Sequence, residues 1–167
     1  MRVVFLDLDG VLNSDRYFAD TPWPEGASWW SVAAIDPAAV QRLNALVSQT
    51  DAAVVLSSSW RRRSSLEELN DLLASRGLAR PIIDVTPSLH RTADGVRLTR
   101  GDEILAWLAQ RAEEAGEVVE AYVALEDEEA LGDVETWCVR VDSRVGLTAG
   151  DVERAARMLR GARGDSL

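Results

Sequence analysis

The sequence predicts an α/β fold, a parallel sheet enclosed between two layers of helices. Three observations predict it. Short, continuous apolar runs recur along the chain, as strands buried on both faces read. Segments with helical periodicity separate most of these runs. Polar residues able to carry chemistry fall directly behind the runs, where the ligand crevice of an open parallel sheet lies.

Val3 to Asp7 is the first run, and it ends in an acid. Residues 14–35 follow, rich in Pro, Trp, Gly and Ser, and predict a loop with at most short ordered pieces. Asp36-Pro37 supplies an N-cap with proline at the first helical position, and Val40, Leu43, Leu46 and Val47 give one apolar face to a helix over 37–49. Ala52 to Leu56 reads as a second buried strand closed by three serines. Ser65 and Glu68 have capping-box spacing ahead of the stripe Leu66, Leu69, Leu72 and Leu73, and Gly77 suits the stop. Pro81 to Val85 reads as a third strand, and Thr99 caps a helix carrying Ile104, Leu105 and Leu108 that runs out near Gly116. Val118 to Leu125 and Thr136 to Val141 are the fourth and fifth strands; Thr148 with Asp151 opens a last helix to Arg160. The alternating order predicts a three-layer, Rossmann-like arrangement. One domain spanning 1–167 is expected, with 14–35 a short loop or flap and no large cap.

Composition narrows the function. No apolar stretch approaches the roughly 18–20 residues a membrane span needs, and Asp7 interrupts the first run too early for a signal peptide. A cytoplasmic protein is expected, and the lone Cys138, with no partner for an internal disulfide, fits a reducing compartment. A net charge of −10 argues against broad, non-specific binding to nucleic acid, although a local basic patch can override that average. There is no lysine, so any cation that holds a phosphate must be a guanidinium.

The chemistry begins at Asp7-Leu8-Asp9-Gly10-Val11-Leu12. Two acids spaced by two leave an extended segment on the same side, and Gly10 lets the chain turn behind them. Close acids repel unless a cation lies between them, which makes the pair a natural hard-metal site; on spacing alone, a pair of solvated loop acids is an equal reading. The buried run ahead and the glycine behind favour function. Val3-Val4-Phe5-Leu6-Asp7-Leu8-Asp9-Gly10-Val11-Leu12 resembles the first motif of the haloacid dehalogenase (HAD) superfamily. The resemblance implies that Asp7 is a nucleophile forming an aspartyl-phosphate, that Asp9 is the general acid and base, and that Mg2+ shields the nucleophile. An aspartate first implies phosphoryl transfer, not carbon–halogen chemistry.

Three further elements extend the resemblance over nearly the whole chain. Behind Val54-Val55-Leu56, the family's phosphate-binding hydroxyl falls on Ser58, with Ser57 the alternative register; a helix cap competes for at least one serine. In Arg97-Leu98-Thr99-Arg100 the family's phosphate-holding cation falls on Arg100, with Arg97 as competitor. Behind Tyr122-Val123-Ala124-Leu125 the family carries paired aspartates that complete the metal shell, whereas this chain has Glu126-Asp127. Either acid is a candidate ligand beside Asp7 and Asp9, and the longer Glu126 raises the prospect of altered metal preference or weak activity. Glu128, Glu129 and Asp133 read as solvated loop acids. The pairing of Asp-Gly-Val-Leu-Asn with Leu-Ser-Ser-Ser-Trp-Arg resembles small HAD domains grouped with RNA-repair proteins.

Other residues are weighed against plainer roles. Trp23, Trp29 and Trp30 offer either aromatic faces for a base or loop anchoring, the latter slightly favoured. Arg61-Arg62-Arg63 suit a second phosphate or a polynucleotide backbone, or simply a solvated helix start; only Arg61 is counted a phosphate ligand. Asn13 is placed to order the loop behind the acids, His90 reads as surface or substrate-side, and Cys138 as core. The expected function is Mg2+-dependent hydrolysis of a phosphate monoester, on a phosphorylated small molecule or a phosphorylated nucleic-acid end, with no membrane partner and an oligomer possible. The alternative is a non-catalytic or weakly active binding module. A phospho-receiver domain is rejected, because its acids are adjacent and it needs a lysine.

Overall fold

The computed structural model describes residues 1–92, 94–115, 118–127 and 130–161. Gly116, Glu128 and Glu129 lie outside them. Five strands, β1 (Arg2–Leu6), β2 (Ala53–Leu56), β3 (Asp84–Val85), β4 (Ala121–Glu126) and β5 (Cys138–Arg140), form one sheet in the order β3-β2-β1-β4-β5, all pairs parallel. The longer helices are α2 (Pro37–Thr50), α3 (Leu66–Ser75), α4 (Arg100–Ala115) and α5 (Ala149–Gly161); α1 (Asp15–Asp20) is a single short piece. The predicted α/β sandwich is therefore present.

The two-residue period of the strands sorts the core into two layers. Val4, Leu6, Val54, Leu56, Val123 and Leu125 face α2, α3 and α5, and meet Val40, Leu43, Leu69, Leu73, Ala155 and Leu159. Val3, Phe5, Val55 and Ala124 face the other way, onto Ile104 and Trp107 of α4. Phe5 meets the Trp107 ring edge-to-face at 5.4 Å. A helix on each side lets the middle strands be apolar throughout, which is why they read as continuous runs.

Helix starts follow their sequence signals. The Asp36 carboxylate accepts the Ala38 N–H at 2.8 Å, and Pro37 opens α2. Ser65 and Glu68 exchange both bonds of a capping box. Thr99 with Asp102 and Thr148 with Asp151 repeat that reciprocal pattern at α4 and α5. Residues 14–35 hold α1, capped by Ser14, and a 3-10 turn at Val32–Ala34.

Three strands are shorter or shifted from expectation. The β3 ladder spans Asp84–Val85, not 81–85: Pro81 has no N–H to give, and the Asn70 amide takes both backbone groups of Ile82, at 2.7 and 3.0 Å. β4 starts at Ala121, and β5 loses Thr136 and Trp137 to a 3-10 segment over Gly132–Trp137. Asn70→Ala should leave the Ile82 N–H and C=O unpaired and cost about 1–3 kcal/mol, read as a lower urea midpoint at unchanged slope.

Candidate active site

Register builds the site. Leu6 pairs with Leu56 on one side and Leu125 on the other, so the residues that follow emerge at one level. The Asp7 N–H donates to the Leu125 carbonyl at 3.0 Å, and the Ser57 N–H to the Leu6 carbonyl at 2.7 Å. Connections leave β1 toward β2 and reach β4 on the opposite side, so the strand order reverses at β1 and opens a crevice there. Asp7, Ser57, Ser58, Glu126 and Asp127 all sit at that crevice.

Asp7 is buried, and its Oδ1 accepts the Leu8 N–H at 2.7 Å. Burial pushes its carboxyl above the ordinary value; the Ser58 hydroxyl, Arg100 and the Leu8 N–H pull it down, and Asp9 pushes it further up. Leu8 points into the core, and the chain then turns at Gly10, whose φ is +69°. A Cβ on Gly10 would lie 2.2 Å from Asp127 Oδ2. The missing side chain is thus what lets the acid behind β4 close on the turn behind β1. Asn13 orders this turn: its Oδ1 accepts the Gly10 N–H at 2.7 Å, and its Nδ2 donates to Asp9 at 3.1 Å.

Asp9 is exposed, and the indole N–H of the buried Trp60 reaches both of its oxygens, at 3.2 and 3.1 Å. Trp60 follows the serines by sequence and reaches the acid across the crevice mouth. The Ser58 hydroxyl faces Asp7 and also accepts the Trp60 N–H at 3.5 Å, so one residue serves as cap and as neighbour of Asp7. The Ser57 hydroxyl is buried without a hydrogen-bond partner.

The two arginine candidates part company. Arg97 is exposed and bridged to Arg91 in a small hairpin, whereas Arg100 is buried beside Asp7. Gly101 makes the Arg100 position attainable, because a Cβ there would lie 1.8 Å from the Leu131 carbonyl oxygen. Arg61 is turned inward: its guanidinium donates to the Ser58 carbonyl at 2.5 Å, the Pro87 carbonyl at 3.3 Å and Glu103 at 2.5 Å. Burial lowers the pKa of Arg61, and Glu103 opposes that loss. Glu103 also accepts Arg100 at 3.3 Å and the Leu89 N–H at 3.0 Å. This carboxylate joins both arginines to the loop behind β3, a role the sequence reading missed. Its signal was its place three residues after Arg100, on the same helix face.

Asp7, Glu126 and Asp127 each offer a carboxylate oxygen, and these oxygens lie within 4.8 Å of one another. Asp9, expected as a fourth ligand, stands outside this group with its carboxylate held by Trp60 and Asn13. Glu126 is 2% exposed; its Oε2 accepts the Asp127 N–H, and its Oε1 is buried with no hydrogen-bond partner. Burial, and next the Asp7 charge, push the Glu126 carboxyl up to about 9. An orphaned oxygen among converging acids suits a hard divalent cation such as Mg2+. Arg100 Nε, which makes no hydrogen bond either, forms an ion pair with the same oxygen at 3.9 Å. Burial raises the Cys138 thiol to about 11, which keeps it a neutral thiol.

A Rossmann-like sheet with carboxylates behind two adjacent strands, and with a hydroxyl and a guanidinium facing them, defines a HAD-type domain. More narrowly, the chain belongs to the family of HAD domains in Swiss Army Knife RNA repair proteins, whose sequence model matches residues 3–152. Membership points to a hydrolase of the phosphatase type. No curated protein sequence matches the chain at a significant level. Among the described residues no helix is long and apolar enough to cross a membrane, and no large cap is inserted into the fold.

Gly10→Ala should be costly twice over. It should lower stability by about 1–3 kcal/mol through the positive φ and the displaced Asp127, and weaken Mg2+ binding measured by calorimetry. The Glu126 shift gives a pH dependence. A carboxyl with a higher pKa folded than unfolded holds its proton more tightly in the folded state, so its contribution is complete below about 4.5 and is lost as pH climbs to about 9. The chelator-treated protein should therefore melt at lower temperature as pH rises through that window, and Glu126→Gln should flatten the fall.

Proposed function

We propose that the chain is a Mg2+-dependent phosphatase that hydrolyses a phosphate monoester through an aspartyl-phosphate on Asp7. The observation that carries this reading is the setting of Asp7: a buried carboxylate with the Ser58 hydroxyl and Arg100 beside it and the Glu126-Asp127 pair opposite. In the first step an Asp7 oxygen attacks phosphorus and the bond to the leaving oxygen breaks, while Asp9 gives that oxygen its proton. In the second, Asp9 takes a proton from water, the water oxygen attacks phosphorus, and the bond to Asp7 breaks to release phosphate. The exposure of Asp9 fits this duty, since it must meet both the leaving group and water. Ser58 and Arg100 hold the phosphoryl oxygens. A magnesium ion held by Asp7, Glu126 and Asp127 would screen the charge of the incoming phosphoryl group.

The absence of a large cap among the described residues and the family's association with RNA repair support a phosphorylated end of RNA or DNA as substrate, with a phosphorylated small molecule as the alternative. A second reading, a binding module with little or no turnover, is favoured by the Glu126–Arg100 approach at 3.9 Å, which lets the protein partly satisfy Glu126 without a metal. p-Nitrophenyl phosphate with Mg2+ separates the two. Wild-type protein should release p-nitrophenol and stop on chelation, and Asp7→Asn should lower kcat by at least about a thousandfold while melting no lower than the wild type. Undiminished Mg2+-dependent turnover by Asp7→Asn would sink the phosphatase mechanism, whereas a folded wild type that neither binds Mg2+ nor hydrolyses any generic phosphate ester would favour the binding module.

A further inference from the structure

The run Arg61-Arg62-Arg63 diverges in three directions. Arg61 turns inward to Glu103, and Arg63 lies over the Trp30 ring at 4.7 Å. Arg62 instead donates to the Ser88 hydroxyl at 3.1 Å and lines a cleft of about 190 Å³ with His90, Arg97, Thr99, Arg100 and Glu103. That volume is room for about six waters at roughly 30 Å³ each, or for one tetrahedral anion with part of its shell.

Charge gives the cleft a sign. Glu103 is the acid in its lining, and both of its oxygens are committed, one to Arg61 and Arg100 and the other to the Leu89 N–H. Arg62 and Arg97 are exposed, so two cations beyond those matched to Glu103 face solvent there. This positive surface stands on a chain of net charge −10. A hairpin supplies its outer wall: Arg91 bridges Arg97, and the Leu98 N–H donates to the His90 carbonyl at 3.1 Å.

Arg100 joins the cleft to the carboxylate centre. It lines the cleft, acts on Asp7, and keeps its Nε free of any hydrogen bond in a side chain only 8% exposed. An anion in the cleft therefore lies one guanidinium away from a phosphoryl group at Asp7. We propose that the Arg62–Arg97 cleft is a second phosphate subsite, which takes the phosphate next to the one hydrolysed. The chemistry is that of a phosphodiester beside a strand's terminal phosphate, or of a small bisphosphate, and guanidinium forks suit both. This rests on the phosphatase reading, which places the first phosphate at Asp7.

The test uses Arg62→Ala/Arg97→Ala, whose positions are exposed, and three substrates: p-nitrophenyl phosphate, a 5′-phosphorylated dinucleotide and a sugar bisphosphate. The variant should keep kcat/KM on p-nitrophenyl phosphate within twofold while its KM on a substrate with two phosphate groups rises about tenfold or more. A wild-type preference for the dinucleotide assigns the subsite to a strand end, and a preference for the bisphosphate assigns it to a small molecule. Equal losses on all three substrates, or no loss on either double phosphate, would overturn the subsite. Binding of a fluorescent 5′-phosphorylated dinucleotide keeps the two proposals apart. Tenfold weaker binding by the variant, of this probe or of the sugar bisphosphate by calorimetry, supports the subsite even if the wild type proves inactive, and unchanged binding of both overturns it.

Discussion

The site depends on one alignment: Leu6 lies in register with both Leu56 and Leu125. Because parallel strands advance together, this fixes the height at which three separate chain segments leave the sheet. A slip of one residue would send Leu6 to the opposite helical layer and carry Asp7 away from Ser58 and Glu126. The apolar runs that build the core thus also set the chemistry, since their lengths decide where the first polar residue appears. Packing and the geometry of the site are specified by the same few positions.

Gathering Asp7, Glu126 and Asp127 in so small a volume opposes folding, because each carboxylate loses water and repels the others. The protein answers with two guanidinium groups, Arg61 and Arg100, and holds both with Glu103. Buried ion pairs of this kind add little net stability, but removing one partner leaves a stranded charge. The network is better understood as orientation: it keeps Arg100 from swinging out to solvent and aims its remaining N–H toward the acids.

Much of this was legible because strand ends are easy to find. Val3–Leu6 and Val54–Leu56 are unbroken apolar runs, so Asp7 and the serines announced themselves as the residues behind them. Family resemblance then gave them roles. What stayed hidden depends on side-chain reach between segments far apart in sequence. Trp60 meets Asp9 across 51 positions and Glu103 meets Arg61 across 42. Neither spacing leaves a local pattern, and the inward turn of Arg61, against the outward path of Arg62, cannot be read from two identical neighbours. Likewise β3 looked longer in sequence because nothing local reveals that Asn70 has taken the backbone of Ile82.

That shortened strand has a consequence for how the molecule meets its own copies. β3 and β5 are the two margins of the sheet, and they offer two and three residues of ladder respectively. Open backbone on a long, flat margin recruits strands from other chains and starts aggregation. Here Pro81 and the Asn70 clamp interrupt one margin, and charged Arg140 ends the other, tied to Glu135. Continuing the sheet from molecule to molecule is thereby discouraged, which favours the helical faces and the loops over the sheet margins as surfaces for contact between copies.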